Sequence, residues 1–582
     1  MIKTSSRHLI RPFAALLAVV ALLTLGAPGV PAKAYTPSVS ALRIGLFYGS
    51  NTLTSANLQN VAGYGSGFEF GYFDSTTRAF ISLGATTGET KLSMIRDMNM
   101  VGYNDASDEN RYAYKQGTTG DVVVGCYHIQ LYGSYSDFGS ANATASQYSD
   151  GYVKYDNGIF VVCVGAYLAN ADAQAAMSSR GLSGDITAGS PYTIAIVVTG
   201  TSKIVFEFDG GSGMALGVRP IAPAGTQTQT YFKGYRYFGA FQYYRVDGKD
   251  MRVLNIVDVE DYVKGLLPYE MSNSWPIEAL KAQALCARTY AMSKLGTHGS
   301  SGFDLCTSEH CQVYRGGAAA NETTNRAVDE TRGEYITYNG ELCETYYSSC
   351  DGGATEDVEN VWANSIPYLR GVIDPYEVDI IPRVSNYNWT VTYTPAALTT
   401  RLQSRGYSIG TVASLSVDTF TRNGNARVVT IKDTTGKSIT LQKENIRLAL
   451  GANSIRLTVG GGTQPGTGGG TELYVNSSTT KLGGDNIYAI GAGGTAQQLP
   501  SGGKMYAITG SGETVEVSKS AVQATGATGT ADGKVNGVFH ISGTGKGHNV
   551  GMSQWGACSM ALHHNKTYRE IINFYYTGVT IG

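Results

Sequence analysis

The stretch from residue 259 to 290 constrains the fold more sharply than any other part of the sequence. Its second half, from Trp275 to Tyr290, carries apolar and small residues at helical spacing. Pro276 stands at a first-turn position, where its missing N–H costs nothing, and Glu278 lies near the positive end of this predicted helix. The sequence therefore predicts an α-rich centre over residues 258–345, between strand-like segments.

Most of the remaining chain is typical of β-structure. Glycine accounts for 74 of the 582 residues and tyrosine for 39, whereas charged residues make up only 15%, against about 25% in an average domain. The formal net charge of −2 provides no basic face for a polyanion and argues against nucleic acid as a partner. We therefore predict a multidomain, β-rich α+β protein.

The first 34 residues have the layout of a secretory signal peptide. Lys3, Arg7 and Arg11 precede an apolar run, and the segment 32–34 supplies a small-x-small cleavage site. An uncleaved membrane anchor is the alternative. Both interpretations predict an exported protein, either secreted or held at the cell wall or the outer face of the membrane.

An internal repeat occupies residues 124–188. The run from His128 to Tyr135 returns as the run from Phe160 to Tyr167, and each copy has an apolar strand, a Gly-aromatic turn and an Ala-rich helix. Two such copies predict a small α+β module. The pattern resembles the SPOR domain, which binds glycan strands stripped of their peptides; a ferredoxin-like unit without a ligand is the alternative.

Composition sets the other predicted boundaries. Residues 35–120 and 191–458 alternate as strands around the helical centre, and residues 459–470 form a Gly-rich linker. Residues 471–533 have short strands between Gly-rich turns, which indicates an inserted β module. Residues 534–582 are Gly-rich first and helical afterwards.

Glu270 is the candidate general acid. It precedes the predicted helix and has apolar and aromatic neighbours. A carboxyl group held against apolar groups loses hydration, which raises its pKa and lets it donate a proton near neutrality. A structural role, in helix capping or in a pair with Arg288, is the alternative. Glu278 and Glu260 are the nearby candidates for the acid.

A His/Cys cluster is the candidate metal site. His298, Cys306, His310 and Cys311 offer the thiolates and imidazoles that tetrahedral zinc prefers. Because the adjacent His310 and Cys311 could hardly both bind one ion, the preferred set is His298, Cys306 and Cys311, with His310 as the alternative. A disulfide between Cys306 and Cys311, or simple packing, are the other interpretations.

Several motifs in one order resemble the SpoIID/LytB family. They are Glu260-Asp-Tyr262, Leu267-Pro-Tyr-Glu-Met271, Trp275-Pro-Ile-Glu-Ala-Leu-Lys-Ala-Gln-Ala284, Ala287-Arg-Thr-Tyr290, Phe303-Asp-Leu-Cys306, His310-Cys-Gln-Val-Tyr314, Gly352-Gly-Ala-Thr-Glu356 and Gly545-Lys-Gly-His-Asn-Val-Gly-Met-Ser-Gln-Trp-Gly-Ala557. The resemblance covers roughly residues 42–120, 191–458 and 534–582. It implies that the SPOR-like module and the module at 471–533 are insertions.

The resemblance implies a peptidoglycan lytic transglycosylase that acts on peptide-free glycan strands during engulfment in spore formers. The family's catalytic acid is the glutamate of its Pro-x-Glu-Met motif, which is Glu270 here. This carboxyl group would protonate the glycosidic oxygen between muramic acid and glucosamine. It would then take the proton of the muramyl 6-hydroxyl as that oxygen closes onto C1, giving a 1,6-anhydro end. Ordinary glycosidases need a second carboxylate, which the internal hydroxyl would replace.

The resemblance also implies a substrate cleft. His548, Ser553 and Gln554 would line it, with Tyr269 and Arg288 as further substrate contacts. Asn549 replaces a glycine of the family's motif, which affects how closely the backbone can approach a ligand. The aromatic residues of the region are candidate sugar platforms: Tyr346, Tyr347, Trp362 and Tyr368.

The implied cofactor and partners follow from the same resemblance. Some members of the family bind zinc through the His/Cys segment, and we expect zinc to shape the cleft rather than do the chemistry. Peptidoglycan glycan strands and a cell-wall amidase are the implied partners, and the catalytic domain could form a homodimer. Because LytB-type relatives are described as modifiers, the alternative function is a non-catalytic peptidoglycan-binding helper that stimulates an N-acetylmuramoyl-L-alanine amidase.

Overall fold

The structure, a computed structural model, describes residues 35–106, 111–362, 364–462 and 532–582, with the backbone of four short strands between residues 488 and 517. The predicted signal peptide, most of the linker and most of the module at 471–533 lie outside these residues. The described part is mixed α/β, sheet-rich and multidomain, which confirms the coarse fold class. None of its helices has the length and apolar character that a membrane span requires.

A seven-stranded sheet joins the N-terminal residues to the helical centre. Its strand Ala41–Phe47 runs antiparallel to Met251–Asp258 and parallel to Leu305–Cys306. Leu42 and Ile44 are fully buried, because side chains two apart share one face of a strand. In order across the sheet, the strands are Leu305–Cys306, Ala41–Phe47, Met251–Asp258, Ala240–Arg245, Leu216–Pro220, Phe68–Phe73 and Phe80–Thr87.

A ten-stranded sheet contains the internal repeat. The repeat runs strand, helix, strand, strand, helix, strand, and its strands pair in the order fourth, first, third, second. Its second strand, Gly151–Asp156, pairs in parallel with Ile204–Asp209, so the sheet continues without a break into the neighbouring residues. The repeat therefore has no sheet of its own, which sequence periodicity did not predict. In order, the strands are Gly184–Ala188, Tyr127–Leu131, Ile159–Tyr167, Gly151–Asp156, Ile204–Asp209, Ile194–Val198, Lys91–Arg96, Ser55–Asn60, Thr230–Phe232 and Tyr235–Tyr237.

The helices cluster in the centre and at the C-terminus. In chain order they are α1 (Phe138–Ala145), α2 (Asn170–Ser179), α3 (Val259–Glu270), α4 (Ile277–Ser293), α5 (Glu322–Asp329), α6 (Val358–Val361), α7 (Pro395–Ser404), α8 (Glu444–Leu450), α9 (Gln554–His564) and α10 (Tyr568–Tyr575). The predicted helix is α4, with Pro276 as its N-cap rather than in its first turn. Helices α3, α5, α9 and α10 all pack against α4, so α4 is the central element of the hydrophobic core.

Smaller sheets bring the C-terminal residues back to the core. Val538–Thr544 pairs with Asn388–Tyr393 on one side and with Leu457–Val459 on the other. Tyr347–Ser348 pairs in parallel with Met552–Ser553. Residues 534–582 therefore pack with the core. The remaining strands are Met100–Asn104, Tyr112–Gln116, Val123–Val124, Ile336–Tyr338, Glu341–Leu342, Val412–Phe420, Ala426–Asp433, Ser438–Gln442, Tyr488–Ile490, Ala496–Gln498, Met505–Ile508, Thr514–Val517, Lys534–Val535 and Thr580–Ile581.

Candidate active site

Glu270 is the last residue of α3. The N-cap of this helix is Asp258, whose side chain accepts a hydrogen bond of 2.8 Å from the backbone N–H of Glu260. It ends where Met271 adopts an extended conformation. The Glu270 carboxyl group therefore stands at the negative end of the helix dipole, which disfavours its ionised form.

Two side chains from distant parts of the chain reach this carboxyl group. Gln554 Nε2, at the start of α9, donates to Glu270 Oε2 over 3.2 Å. The Tyr347 hydroxyl also hydrogen-bonds to Glu270. The short parallel pairing between Tyr347–Ser348 and Met552–Ser553 explains why Tyr347 and Gln554 lie side by side.

A chain of hydrogen bonds fixes Tyr347. Its hydroxyl accepts a hydrogen bond of 3.1 Å from Gln312 Nε2, and Gln312 Oε1 accepts one of 3.1 Å from the buried Tyr262 hydroxyl. Because the Tyr347 oxygen already accepts from Gln312, its own hydrogen is free for the Glu270 carboxylate. Tyr262 and Gln312 were not identified from sequence, although both lie within the motifs that carry the family resemblance.

Burial raises the pKa of Glu270 above its ordinary value. The hydrogen bonds from Gln554 and Tyr347 oppose this shift because they stabilise the carboxylate, while the negative charge of Glu309 adds to it. The balance is a raised pKa. Glu270 is thus a carboxyl group that can hold a proton and whose anion also has two hydrogen-bond donors.

The alternative acids are engaged in other contacts. Glu260 forms an ion pair of 2.7 Å with Arg288, whose side chain is fully buried. Glu278 binds Lys281 Nζ over 2.9 Å and accepts from the backbone N–H of Tyr568. The predicted substrate contact of Arg288 does not fit this placement, because its guanidinium lies in the interior and pairs with Glu260.

Ser553 also has a structural position. It is fully buried, accepts a hydrogen bond of 3.0 Å from Gly556 N as the N-cap of α9, and donates to Glu377 Oε1. The prediction that Ser553 contacts substrate does not fit this placement, because the hydroxyl group is buried and already forms two hydrogen bonds. Its neighbour Gln554 is the residue of this pair that reaches Glu270.

His548 precedes the strand Met552–Ser553 and packs in an aromatic cluster with Trp362 and Tyr346. Its ring centroid lies 5.0 Å from that of Trp362 and 6.4 Å from that of Tyr346. Burial, and then the charge of Arg447, lower its pKa to about 4, so the imidazole is neutral near pH 7. Asn549, in place of the family's glycine, adopts a φ of 63°, a left-handed conformation that asparagine tolerates.

Further aromatic side chains belong to the same two segments of the chain as Glu270 and Gln554. Tyr269, next to Glu270 in the chain, is 37% exposed, and the Arg315 guanidinium lies 5.7 Å from its ring centroid. The rings of Trp275 and Trp555 lie 4.4 Å apart, a pair that sequence analysis missed because 280 positions separate its members. Tyr269 is thus the exposed aromatic ring nearest to Glu270 in sequence.

The four residues of the His/Cys cluster come together. The ligand atoms of His298, Cys306, His310 and Cys311 all lie within 4.8 Å of one another. Cys311 Sγ is 3.4 Å from His298 Nε2, and His310 Nδ1 is 3.5 Å from Cys311 Sγ and 3.8 Å from Cys306 Sγ. The expectation that His310 and Cys311 could hardly both bind one ion was therefore wrong, because the ligand atoms of both neighbours face the same point.

The donor set fits zinc. Two thiols, which are free in the structure, and two imidazoles match a tetrahedral Cys₂His₂ arrangement. The cluster also connects to the candidate acid, since Gln312 directly follows Cys311 and binds Tyr347.

Comparisons with known proteins match the segment that carries this site. The SpoIID family model, described as Stage II sporulation protein, matches residues 247–338, which include α3, α4 and the His/Cys cluster. An uncharacterized protein of Brachyspira hyodysenteriae is 31% identical over 358 residues, covering 61% of this chain and 75% of that protein.

Two further relatives come from Bacillus subtilis. A protein named amidase enhancer is 31% identical over 324 residues, which is 55% of this chain and 40% of that protein. Stage II sporulation protein D is 30% identical over 213 residues, which is 34% of this chain and 59% of that protein. The chain thus matches less than two thirds of the length of each of these two relatives.

Proposed function

The chain belongs to the SpoIID/LytB family, and on this premise we propose that it is an exported peptidoglycan lytic transglycosylase. It cleaves the bond between N-acetylmuramic acid and N-acetylglucosamine in peptide-free glycan strands and leaves 1,6-anhydro ends. Its setting is the remodelling of the cell wall during sporulation. The observation that carries the proposal is the partly buried Glu270 carboxyl group, with a raised pKa and two hydrogen-bond donors.

The proposed mechanism uses this carboxyl group twice. In the first step Glu270 gives its proton to the glycosidic oxygen as the bond to C1 breaks. Gln554 and Tyr347 then stabilise the carboxylate that remains. In the second step this carboxylate takes the proton of the muramyl 6-hydroxyl while its oxygen bonds to C1, which restores the acid.

The surroundings have supporting roles in this proposal. The exposed ring of Tyr269 contacts a sugar next to the cleaved bond. The neutral imidazole of His548 packs against Trp362, whose ring contacts Tyr346. His298, Cys306, His310 and Cys311 bind a structural zinc ion, which fixes the segment that presents Gln312 to Tyr347.

Residues 124–188 supply a second contact with the wall. Their order of strands and helices and their antiparallel pairing support the SPOR-like interpretation. We propose that this segment binds peptide-free glycan strands and holds the substrate near Glu270.

The direct experiment incubates the purified protein with peptide-free glycan strands and searches for 1,6-anhydro ends by mass spectrometry. The wild type is expected to produce them and Glu270→Gln is not. Glu278→Gln is the matched control, because the Glu278 carboxyl group has a structural role: it binds Lys281 and accepts from the backbone N–H of Tyr568. Absence of product from the folded wild type would contradict the proposal.

A non-catalytic helper is the second candidate, favoured by the relative named amidase enhancer. In this case the chain would bind glycan strands and stimulate a cell-wall amidase, and Glu270 would be dispensable. An assay of an N-acetylmuramoyl-L-alanine amidase with wild type and Glu270→Gln separates the two. Equal stimulation by both, together with no anhydro product, would favour the helper.

A further inference from the structure

A second cluster of ligating groups lies in the ten-stranded sheet, away from Gln554 and Tyr347, the described residues that hydrogen-bond to Glu270. Asp97 follows the strand Lys91–Arg96, His128 is on Tyr127–Leu131, and Glu207 is on Ile204–Asp209. One ligand atom from each of the three lies within 4.8 Å of the others, and all three residues are buried. The cluster thus joins the repeat to strands outside it.

The imidazole of His128 has a defined tautomer. Its Nδ1 lies 3.0 Å from the backbone oxygen of Gly165, and since a carbonyl oxygen can only accept, Nδ1 carries the hydrogen. Nε2 then faces Asp97 Oδ1 at 3.0 Å and Glu207 Oε1 at 3.8 Å. A metal-ligating histidine usually donates one ring N–H to a carbonyl or carboxylate and turns its other nitrogen to the metal, and the contact with Gly165 leaves Nε2 for this role.

The carboxylates lack the hydrogen-bond donors that burial normally requires. Glu207 is fully buried, yet neither of its oxygens has a hydrogen-bond partner, and the same holds for Asp97 Oδ2 and the hydroxyl of Tyr152 among the described residues. Protonation of His128 at Nε2 would provide one donor for Asp97 Oδ1, 3.0 Å away, and would leave Glu207 Oε1, at 3.8 Å, without a hydrogen bond. Because unpaired buried acceptors are costly, a cation that binds several of these oxygens at once would stabilise the cluster.

The other charged groups nearby do not replace such a ligand. Lys154 is buried and its charge acts on Glu207 and Asp97, but it forms no ion pair with either carboxylate in the described part of the chain. Arg245 directs its donors to the backbone oxygens of Ser190, Thr193, Gly248 and Lys249.

We propose that Asp97, His128 and Glu207 bind one divalent transition-metal ion of the zinc class. Zinc accepts imidazole nitrogen and carboxylate oxygen as ligands. His128 Nε2, one oxygen of Asp97 and both oxygens of Glu207, which have no hydrogen-bond partner among the described residues, would give it four donors, and the two carboxylates balance its charge. The ion is structural, since the site is closed to solvent. It ties the loop after Lys91–Arg96 and the strand Ile204–Asp209 to the first strand of the repeat.

Metal content separates this site from the His/Cys cluster. The first measurement is elemental analysis of purified Cys306→Ser, in which the His/Cys cluster has lost a ligand. We expect this variant to keep one equivalent of metal per chain, and Cys306→Ser combined with His128→Gln to lose it. A folded Cys306→Ser protein without metal would overturn the proposal.

A cobalt-substituted protein provides a second readout that does not depend on removing His128. Co²⁺ bound at the proposed site has only nitrogen and oxygen ligands, so Cys306→Ser/Cys311→Ser loaded with Co²⁺ should show ligand-field bands without thiolate charge-transfer absorption. Glu207→Gln in the same background should abolish these bands. Retention of the bands in that variant would exclude Glu207 as a ligand and overturn the site.

Thermal unfolding tests the alternative in which the cluster holds only a proton. A chelator should lower the Tm of Cys306→Ser/Cys311→Ser if a metal ties the sheet together, and Glu207→Gln should remove this sensitivity. A Tm that does not respond to the chelator, with Glu207→Gln as stable as its parent, would show that a proton and not a metal occupies the cluster.

Discussion

Gln554 Nε2 lies 3.2 Å from Glu270 Oε2, although 284 positions separate the two residues in the chain. The contact forms because α9 packs against α4 and Met552–Ser553 pairs with Tyr347–Ser348. The C-terminal residues thus complete the surroundings of a carboxyl group at the end of α3.

The substitution Glu270→Gln tests the role of this carboxyl group. Glutamine keeps the shape and can still accept from Gln554, but it cannot donate the proton, so turnover should fall by at least about 10²–10⁴-fold. Release of 1,6-anhydro ends measures the effect, and circular dichroism checks the fold. Glu278→Gln should retain most of the activity; normal turnover by Glu270→Gln would mean that another group is the acid.

The pH dependence of activity should report the raised pKa of Glu270. A general acid must be protonated before it reacts, so activity falls as pH rises through its pKa. The Tyr347 hydroxyl stabilises the carboxylate and lowers this pKa, so Tyr347→Phe should raise it and move the alkaline limb of kcat/KM to higher pH. A limb that stays in place or moves to lower pH in a folded variant would contradict the assignment.

Local patterns in the sequence predicted the elements of the site but not their partners. Helical spacing identified α4, and the apolar neighbours of Glu270 indicated a raised pKa, because both depend on residues close in the chain. The partners of Arg288 and Ser553 are Glu260 and Glu377, and only the packing of several elements brings them together. The sequence therefore contains no sign that Arg288 and Ser553, both predicted to contact substrate, have partners inside the fold.

The same limit applies to larger features. The two strand–helix copies of the repeat were visible as a local pattern, whereas the parallel pairing of Gly151–Asp156 with Ile204–Asp209 is non-local and left no periodic signal. In the His/Cys cluster, the chain turns at Ser308, whose backbone oxygen accepts from Cys311 N, so His310 and Cys311 can both face one point. The spacing of these residues in the sequence does not predict this turn.

Zinc binding by the His/Cys cluster has a stoichiometric test. Cys306→Ser removes one ligand, so the protein should lose this zinc ion and melt at a lower temperature than the wild type. Because the second cluster is proposed to keep its own metal, the expected change is a loss of one equivalent. Wild-type protein with a disulfide between Cys306 and Cys311 in peptide mapping, and no zinc at this cluster, would refute the site.

Ser553→Ala distinguishes a helix cap from a substrate contact. Loss of an N-cap side chain costs about 1 kcal/mol, and Glu377 also loses a donor, so the free energy of unfolding should fall by at least this amount with little change in KM. Thr394→Ala is the matched control, since Thr394 caps α7 through Ala397 N. A raised KM at unchanged stability would restore Ser553 as a substrate contact.

The ion pair of Glu260 and Arg288 should contribute to stability rather than to activity. Arg288→Met leaves the Glu260 carboxylate buried without its partner, and breaking such a pair costs about 3–5 kcal/mol. Arg326→Ala removes the exposed contact with Glu330, 3.5 Å long, and should change the free energy of unfolding by only about 0–1 kcal/mol. Denaturant unfolding compares the two variants.

Turnover per folded molecule should stay close to that of the wild type in both variants, because the Arg288 guanidinium binds Glu260, Val328 O and Thr331 in the interior. A selective rise in KM for Arg288→Met would instead place this side chain at the glycan.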